Sequence, residues 1–341
     1  FFFQAEDGIR DMPSLVGSEM CIRDRISESM KAMQAATLLL PGLVAEQIAN
    51  KELTLRSSSQ NPHIARFLTC LVTGLTENKV RVIAPEVGGG FGSKTPVYAD
   101  EMIATYCTMQ LGRPVKWTET RTENYQATLH GRDHVEYVEM AATREGRITG
   151  LRTVVYAGMG AYLSTAATGI PTILHGLMYS GPYDIPNIKT DVYGVFTTTT
   201  PVDLYRGAGR PEATFLVERL VDLLAAEVGK DPVEVRRLNL IPKFDNGHDV
   251  AVGLTYDSGD YETTMDVALA KVDYLQLRQE QAHQREHGGY IGIGVTTYCE
   301  ICGLGPSQVA GAVGFGGGLW ESCLLYTSDA ADDTPCVDLG G

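Results

Sequence analysis

Apolar and polar positions recur with two different periods along this chain. Residues 134–143 and 147–156 carry strand-like patterns on either side of Arg144-Glu145-Gly146, which predicts a long β-hairpin. Residues 80–87 are a β-branched run that opens into a glycine cluster, and Thr95-Pro96 supplies the N-cap and first position of a helix running to Gly112. That helix is expected to place Ala99, Ile103, Tyr106, Cys107 and Gln110 on one face. Residues 114–121 and 192–200 read as strands, the latter ended by Pro201, with a loop-rich, Gly/Pro-punctuated stretch over 169–186 between them.

Helical spacing dominates the second half. Phe215, Leu216, Arg219, Leu220, Leu223 and Leu224 predict a helix over 211–228 that stops at Gly229. Asp231-Pro232 caps a second helix through Asn239, a third helical stretch covers 261–286, and 290–298 alternates as a strand. Strands and helices without a strict βαβ rhythm, and without an internal repeat, indicate an α+β class.

The two ends break these patterns. Residues 1–25 and 323–341 show neither period and resemble translated sequencing-adapter read-through, so the expected organisation is one domain over 26–322 between two foreign, disordered tails. The formal net charge of −14 is carried disproportionately by those tails. It argues against nucleic-acid or acidic membrane partners, which need a basic surface. No apolar run reaches membrane-spanning length, and Phe1-Phe2-Phe3 lacks the basic flank of a signal peptide. The seven cysteines form no disulfide framework, which points to a reducing, cytoplasmic address.

Three short motifs carry candidate chemistry. The first is Val87-Gly88-Gly89-Gly90-Phe91-Gly92-Ser93-Lys94-Thr95, where the backbone can approach a ligand closely and present amides to an anion. It nearly fits a phosphate-binding P-loop, but Ser93 stands where the last glycine belongs. The second is Tyr205-Arg206-Gly207-Ala208-Gly209-Arg210, whose arginines oppose the dipole of the helix they introduce, which favours a binding role. The third is His283-Gln284-Arg285-Glu286-His287, a match to a zinc-protease pattern weakened by Gly288-Gly289 at a fraying helix end. Cys299 and Cys302 have metal-like spacing, but a pair cannot close a tetrahedral site, and buried thiols are expected instead.

The glycine cluster Gly88 to Lys94 resembles the pterin-binding turn of the molybdenum hydroxylases, the family of xanthine dehydrogenase, aldehyde oxidase and the carbon monoxide dehydrogenase large subunit. The Tyr205-Arg206-Gly207 loop, Ser58-Ser59-Gln60-Asn61-Pro62, Gly181-Pro182-Tyr183-Asp184-Ile185-Pro186-Asn187 and Val235-Arg236-Arg237-Leu238-Asn239 match the same family in the same order.

The resemblance implies a fragment of the molybdenum-cofactor-binding domain of a large subunit. It assigns cofactor binding to Gln60, Gly88, Gly89, Gly90, Phe91, Gly92, Arg206 and Gly207, catalytic contacts to Gln60, Phe91 and Arg206, and no protein metal ligand. The implied activity is oxidative hydroxylation of an aldehyde, N-heterocycle or similar small molecule, with water as oxygen source. The implied cofactor is molybdenum-molybdopterin in its cytosine dinucleotide form, with 2Fe-2S and FAD on small and medium partner subunits in a dimer of heterotrimers. Carbon monoxide dehydrogenases proper carry a copper-holding Cys beside the loop arginine, where this chain has Gly207. The family's general-base Glu has no counterpart here, so the fragment alone is expected to be inactive. The alternatives are a non-catalytic subunit-binding fragment and a P-loop-like nucleotide binder.

Overall fold

The computed structural model describes residues 43–48 and 52–301. The two terminal stretches and Cys302 lie outside them. The chain folds as two sheet-and-helix layers whose loops meet. The first layer is a four-stranded sheet in the order β3-β2-β1-β4, formed by β1 (Leu43–Ile48), β2 (Glu52–Arg56), β3 (Val80–Ile83) and β4 (Val115–Trp117). Its pairs are antiparallel except for β2 with β3, which run parallel because helix α1 (Pro62–Thr73) connects them. Leu55, Val82, Ala104, Val115 and Trp117 pack between this sheet and helix α2 (Ala99–Leu111).

Helix α2 starts three residues later than its sequence predicts and turns the other way. Glu101 reaches back to the Tyr98 amide at 2.9 Å, and the Tyr98 hydroxyl bonds to the Ser93 carbonyl. These contacts pin residues 91–96 as turns, so Tyr98 replaces Thr95 as N-cap. The buried face carries Glu101, Ala104, Thr105 and Thr108, while Ile103 and Tyr106 are exposed. Small side chains let the helix approach the sheet more closely than the larger apolar stripe would.

The predicted strand over 114–121 shrinks to β4. Thr120 and Glu123 then form a reciprocal capping box that opens helix α3 (Arg121–Ala127).

The second layer is a three-stranded sheet, β5 (His134–Ala142), β6 (Ile148–Gly160) and β7 (Ile188–Phe196). β5 and β6 form the predicted hairpin, and β7 runs parallel to β6. Strand β7 begins four residues before its predicted start, because Leu151 to Gly160 offer it partners from Ile188 onward. The stretch expected to be loop-rich is interior: a π-helical turn at Ile170–Leu174 leads into buried Met178, Tyr179, Tyr183 and Ile185. Helix α4 (Arg210–Val228) ends at Gly229, as its sequence predicts, and lays Ala213, Leu216, Val217 and Val221 into the same core. Helix α5 (Pro232–Asn239) follows, with the Asp231 carboxylate accepting from the Val233 amide at 2.8 Å.

A short two-stranded ribbon, β8 (His248–Asp249) with β9 (Thr255–Tyr256), precedes two further helices, α6 (Tyr261–Lys271) and α7 (Tyr274–Glu286). The predicted single helix breaks because Asp273 adopts a left-handed conformation (φ +48°) and caps the Gln276 amide. Residues 290–301 alternate in burial but have no ladder partner among the described residues, so the predicted strand is an extended rail.

Four segments converge on one carboxylate. Arg236, fully buried, donates to Glu218 Oε2 from Nε and Nη2 at 3.0 and 2.8 Å. The Tyr183 hydroxyl and the Thr297 amide also donate to Glu218. A buried pair gains from its attraction only when such extra bonds satisfy the remaining lone pairs.

Candidate functional site

Two loops, each feeding a helix-bearing layer, come together at the top of the first sheet. After β2 the chain turns at Ser57-Ser58-Ser59, and the Gln60 amide donates to the Lys94 carbonyl at 3.0 Å, which brings Gln60 under the glycine cluster. The Gly92 amide donates to Gln60 Oε1 at 3.0 Å. That bond engages the carboxamide oxygen and leaves its NH2 as the donating end. Gly90 lies so close that an added Cβ would overlap the Gln60 side chain, whose own Cβ would be 2.8 Å away. An added Cβ at Gly92, where φ is +87°, would press on the Leu204 carbonyl. These two glycines permit the contact between loops.

Phe91 turns into the left-handed region (φ +54°), and its ring remains half-exposed. The Arg206 amide donates to the Phe91 carbonyl at 3.0 Å, which fastens the second loop to the first. Arg132 supports that loop from its other side: its guanidinium donates to the Arg206 carbonyl and lies 4.7 Å from the Tyr205 ring centroid. Buried Asp203 holds the loop's base by accepting from the amides of Leu204 at 2.7 Å and Ala166 at 3.1 Å. The structure therefore brings Gln60, Gly88, Gly89, Gly90, Phe91, Gly92, Arg206 and Gly207 into one surface, reached from sequence positions far apart.

Arg132 and Asp203 were missed in the sequence. Arg132 is a lone cation before a strand, and Asp203 lies within the loop motif without an informative spacing.

The surface has donors to offer. Among the described residues no protein group accepts from the amides of Gly88, Gly89, Gly90 and Phe91, and no carboxylate pairs with the Arg206 guanidinium. An added Cβ at Gly88 would meet nothing within 4 Å, so the loop faces open space there. Backbone amides, one carboxamide NH2 and one planar cation suit a ligand rich in oxygen acceptors and negative charge, as a pterin phosphate with an oxo-bearing metal is. The residues present fit that group.

The P-loop alternative does not survive the geometry of Lys94. Its ammonium donates to the Val87 carbonyl inside its own loop, and burial pushes its pKa down. A P-loop lysine has to reach a bound phosphate instead. His287 caps α7, its ring bonded to the His283 carbonyl at 2.8 Å, so that pair does not converge on an ion. Cys70, Cys107 and Cys299 are free thiols; Cys70 is buried as expected, but Cys107 and Cys299 are only partly so, and Cys299 is hydrogen-bonded to Tyr261.

One titratable cluster lies behind the second loop. Glu136 sits between His134 and His175; burial opposes its ionisation, but the two imidazoles hold its carboxyl down at about 2. No sequence motif announces it, because His175 comes from a stretch that reads as loop.

Comparison with known proteins agrees with this geometry. Residues 29–240 match the family described as the Molybdopterin cofactor-binding domain. The chain is 40% identical over 280 residues to the carbon monoxide dehydrogenase large chain of Hydrogenophaga pseudoflava, covering 80% of this chain and 34% of that one. It is 32% identical over 283 residues to the nicotine 6-hydroxylase large subunit of Paenarthrobacter nicotinovorans, covering 82% of this chain and 34% of that one. Among solved structures, the Cu,Mo-CO dehydrogenase superposes with a TM-score of 0.73 at 33% identity, over 82% of this chain and 39% of that one. Quinoline 2-oxidoreductase from Pseudomonas putida 86 gives 0.69 at 28% identity, over 72% and 32%. The chain thus spans about a third of the length of these relatives. With the glycine turn, Gln60 and the arginine loop assembled on one surface, this chain belongs to the molybdopterin-binding subunits of the molybdenum hydroxylase family.

Proposed function

We propose that the protein to which this chain belongs hydroxylates an aldehyde, an N-heterocycle or a similar small molecule, with water as the oxygen source. The observation that carries the reading is the Gln60–Gly92 bond, which presents a carboxamide NH2 beside four unengaged backbone amides. When bound, a molybdenum–molybdopterin group, in its cytosine dinucleotide form, supplies the two-electron redox chemistry. The residues that would hold it are Gln60, Gly88, Gly89, Gly90 and Gly92. Arg206 stabilises negative charge developing on the substrate oxygen, and the half-exposed Phe91 ring forms an apolar wall beside the substrate. Partner subunits carrying 2Fe-2S and FAD, in a dimer of heterotrimers in the cytoplasm, would take up the electrons.

Carbon monoxide is disfavoured as substrate. Gly207 has φ +97°, and an added Cβ would overlap the Pro211 ring, so a cysteine does not fit where a copper-holding thiolate would be needed. The test is to purify the complete gene product with its partner subunits and measure molybdenum, released pterin and turnover together. The expected result is about one molybdenum and one pterin dinucleotide per chain, with oxidation of an aldehyde or N-heterocycle and none of carbon monoxide. A correctly folded complex that holds neither metal nor pterin would leave only the subunit-binding reading.

A further inference from the structure

His134 and Glu136 are two residues apart on β5 and therefore share a face. His175, just beyond the π-helical turn, comes up against them. Glu136 Oε1 lies 3.2 Å from His134 Nδ1 and 3.1 Å from His175 Nε2, and the three donor atoms are all within 4.8 Å of one another. Their side chains are 7%, 16% and 0% exposed for His134, Glu136 and His175. Ligands at ordinary Zn–N and Zn–O lengths around a tetrahedral ion sit roughly 3.3 Å apart.

His134 Nδ1 is hydrogen-bonded to Glu136 Oε1, whereas the buried His175 Nε2, 3.1 Å from the same oxygen, lacks hydrogen-bond alignment with it. A buried ring nitrogen without an aligned partner is open to a shared ion, which on binding would replace the His134–Glu136 hydrogen bond. On the opposite edge of the ring, His175 Nδ1 is 3.1 Å from the hydroxyl of fully buried Tyr179, which is also bonded to Thr153. A proton on Nδ1 donated to Tyr179 leaves the Nε2 lone pair free, the tautomer a metal ligand requires.

We propose that His134, Glu136 and His175 form a site for a zinc-type divalent ion, distinct from the molybdenum-cofactor loops. Two imidazoles and one carboxylate select a borderline transition metal over magnesium or calcium. A fourth position opens on the groove lined by Arg132, Glu136 and Glu212, where water can enter. The role is a staple behind the arginine loop. Gly209 packs on His175, a Cβ added there standing 3.1 Å from the His175 backbone nitrogen and 3.2 Å from its Cβ, so an ion holding His175 to β5 would brace the arginine loop at Gly209.

The test uses the untagged 341-residue chain, stripped with a chelator and titrated with Co2+ followed by Zn2+. The expected result is one Co2+ per chain with the visible absorption of a four-coordinate ion, displaced by Zn2+, and a higher melting temperature with metal. His134→Gln and Glu136→Gln keep the shape of the site and should each lose binding at least tenfold, with circular dichroism confirming the fold. Tyr179→Phe should weaken binding about 10–100-fold, the usual effect of removing a group that orients a ligand. Absorption no different from the aqueous ion would overturn the proposal. So would binding that survives both ligand variants or disappears in His283→Ala/His287→Ala, which would place the ion on α7.

Discussion

The amide of Arg206 donates to the carbonyl of Phe91 at 3.0 Å, so the arginine loop and the glycine turn are positioned by main-chain contact and not by the arginine's own side chain. The guanidinium is therefore not needed to join the two loops, as its proposed role on substrate requires. In the complete complex, Arg206→Met should lower turnover about a hundredfold or more, the scale of losing one preorganised charge donor. Arg206→Lys keeps the charge but loses the fork of donors, so its loss should be smaller. Molybdenum content should stay at the wild-type level in both; a parallel fall in metal and turnover would make the side chain a cofactor holder instead.

Gly90 lies against Gln60, and a branched side chain there cannot coexist with the Gln60–Gly92 bond. Gly90→Val should therefore abolish retention of molybdenum and pterin. The core of the first layer lies around Leu55, Ala104 and Val115 and should keep the fold. Metal analysis beside thermal unfolding of the complete protein checks this, and full metal content in the variant would count against the assignment.

Gly207→Cys tests whether substrate class can be switched by one residue. The positive φ and the adjacent Pro211 make the substitution strained, costing about 1–3 kcal/mol of stability. Copper added to the variant should not produce carbon monoxide oxidation. Activity towards carbon monoxide would show that the loop rearranges to accept a thiolate.

Buried Glu101 has a raised pKa, chiefly because burial penalises its charge, with Asp100 adding repulsion and the Ser57 hydroxyl and Tyr98 amide opposing both. The native state thus holds this proton more tightly than the unfolded chain does. Stability from this group is full below the ordinary Glu pKa of about 4.3 and is lost as pH rises through the native value. Glu101→Gln should flatten that decline and leave a smaller slope from Asp100, whose pKa burial also raises. Chemical denaturation of wild type and variant across this window measures it; parallel curves would refute it.

Much of the second layer is legible in the sequence because its signals are local. The hairpin 134–160 is announced by two strand patterns around a turn, and α4 by its leucines and Gly229. The rest depends on tertiary partners. Helix α2 buries Ala104, Thr105 and Thr108 because the sheet comes close, and no periodicity rule ranks threonine above isoleucine. Residues 290–301 alternate as a strand should, but Glu218 and not a neighbouring strand receives the Thr297 amide. At the site, Gln60 and the glycines can be read as motifs, but Arg132 and His175 act through packing that only the folded chain reveals.

Arg236→Met should cost about 3–5 kcal/mol, since it leaves the Glu218 charge buried without its cation. The Arg236→Met/Glu218→Gln double variant should recover part of that loss. Equal stability of the single variant and wild type in urea would show that Tyr183 and Thr297 satisfy the carboxylate alone.

The Glu218 junction gathers α4, α5, the Tyr183 turn and the rail at Thr297, none of whose bonding side chains is among the residues proposed to face the ligand. The frame and the proposed recognition surface are therefore built from different residues. On the proposed function, substitutions around Phe91 or Tyr205 would retune which molecule is accepted while the junction keeps the scaffold intact. With that separation, a change of substrate would not require a change of fold.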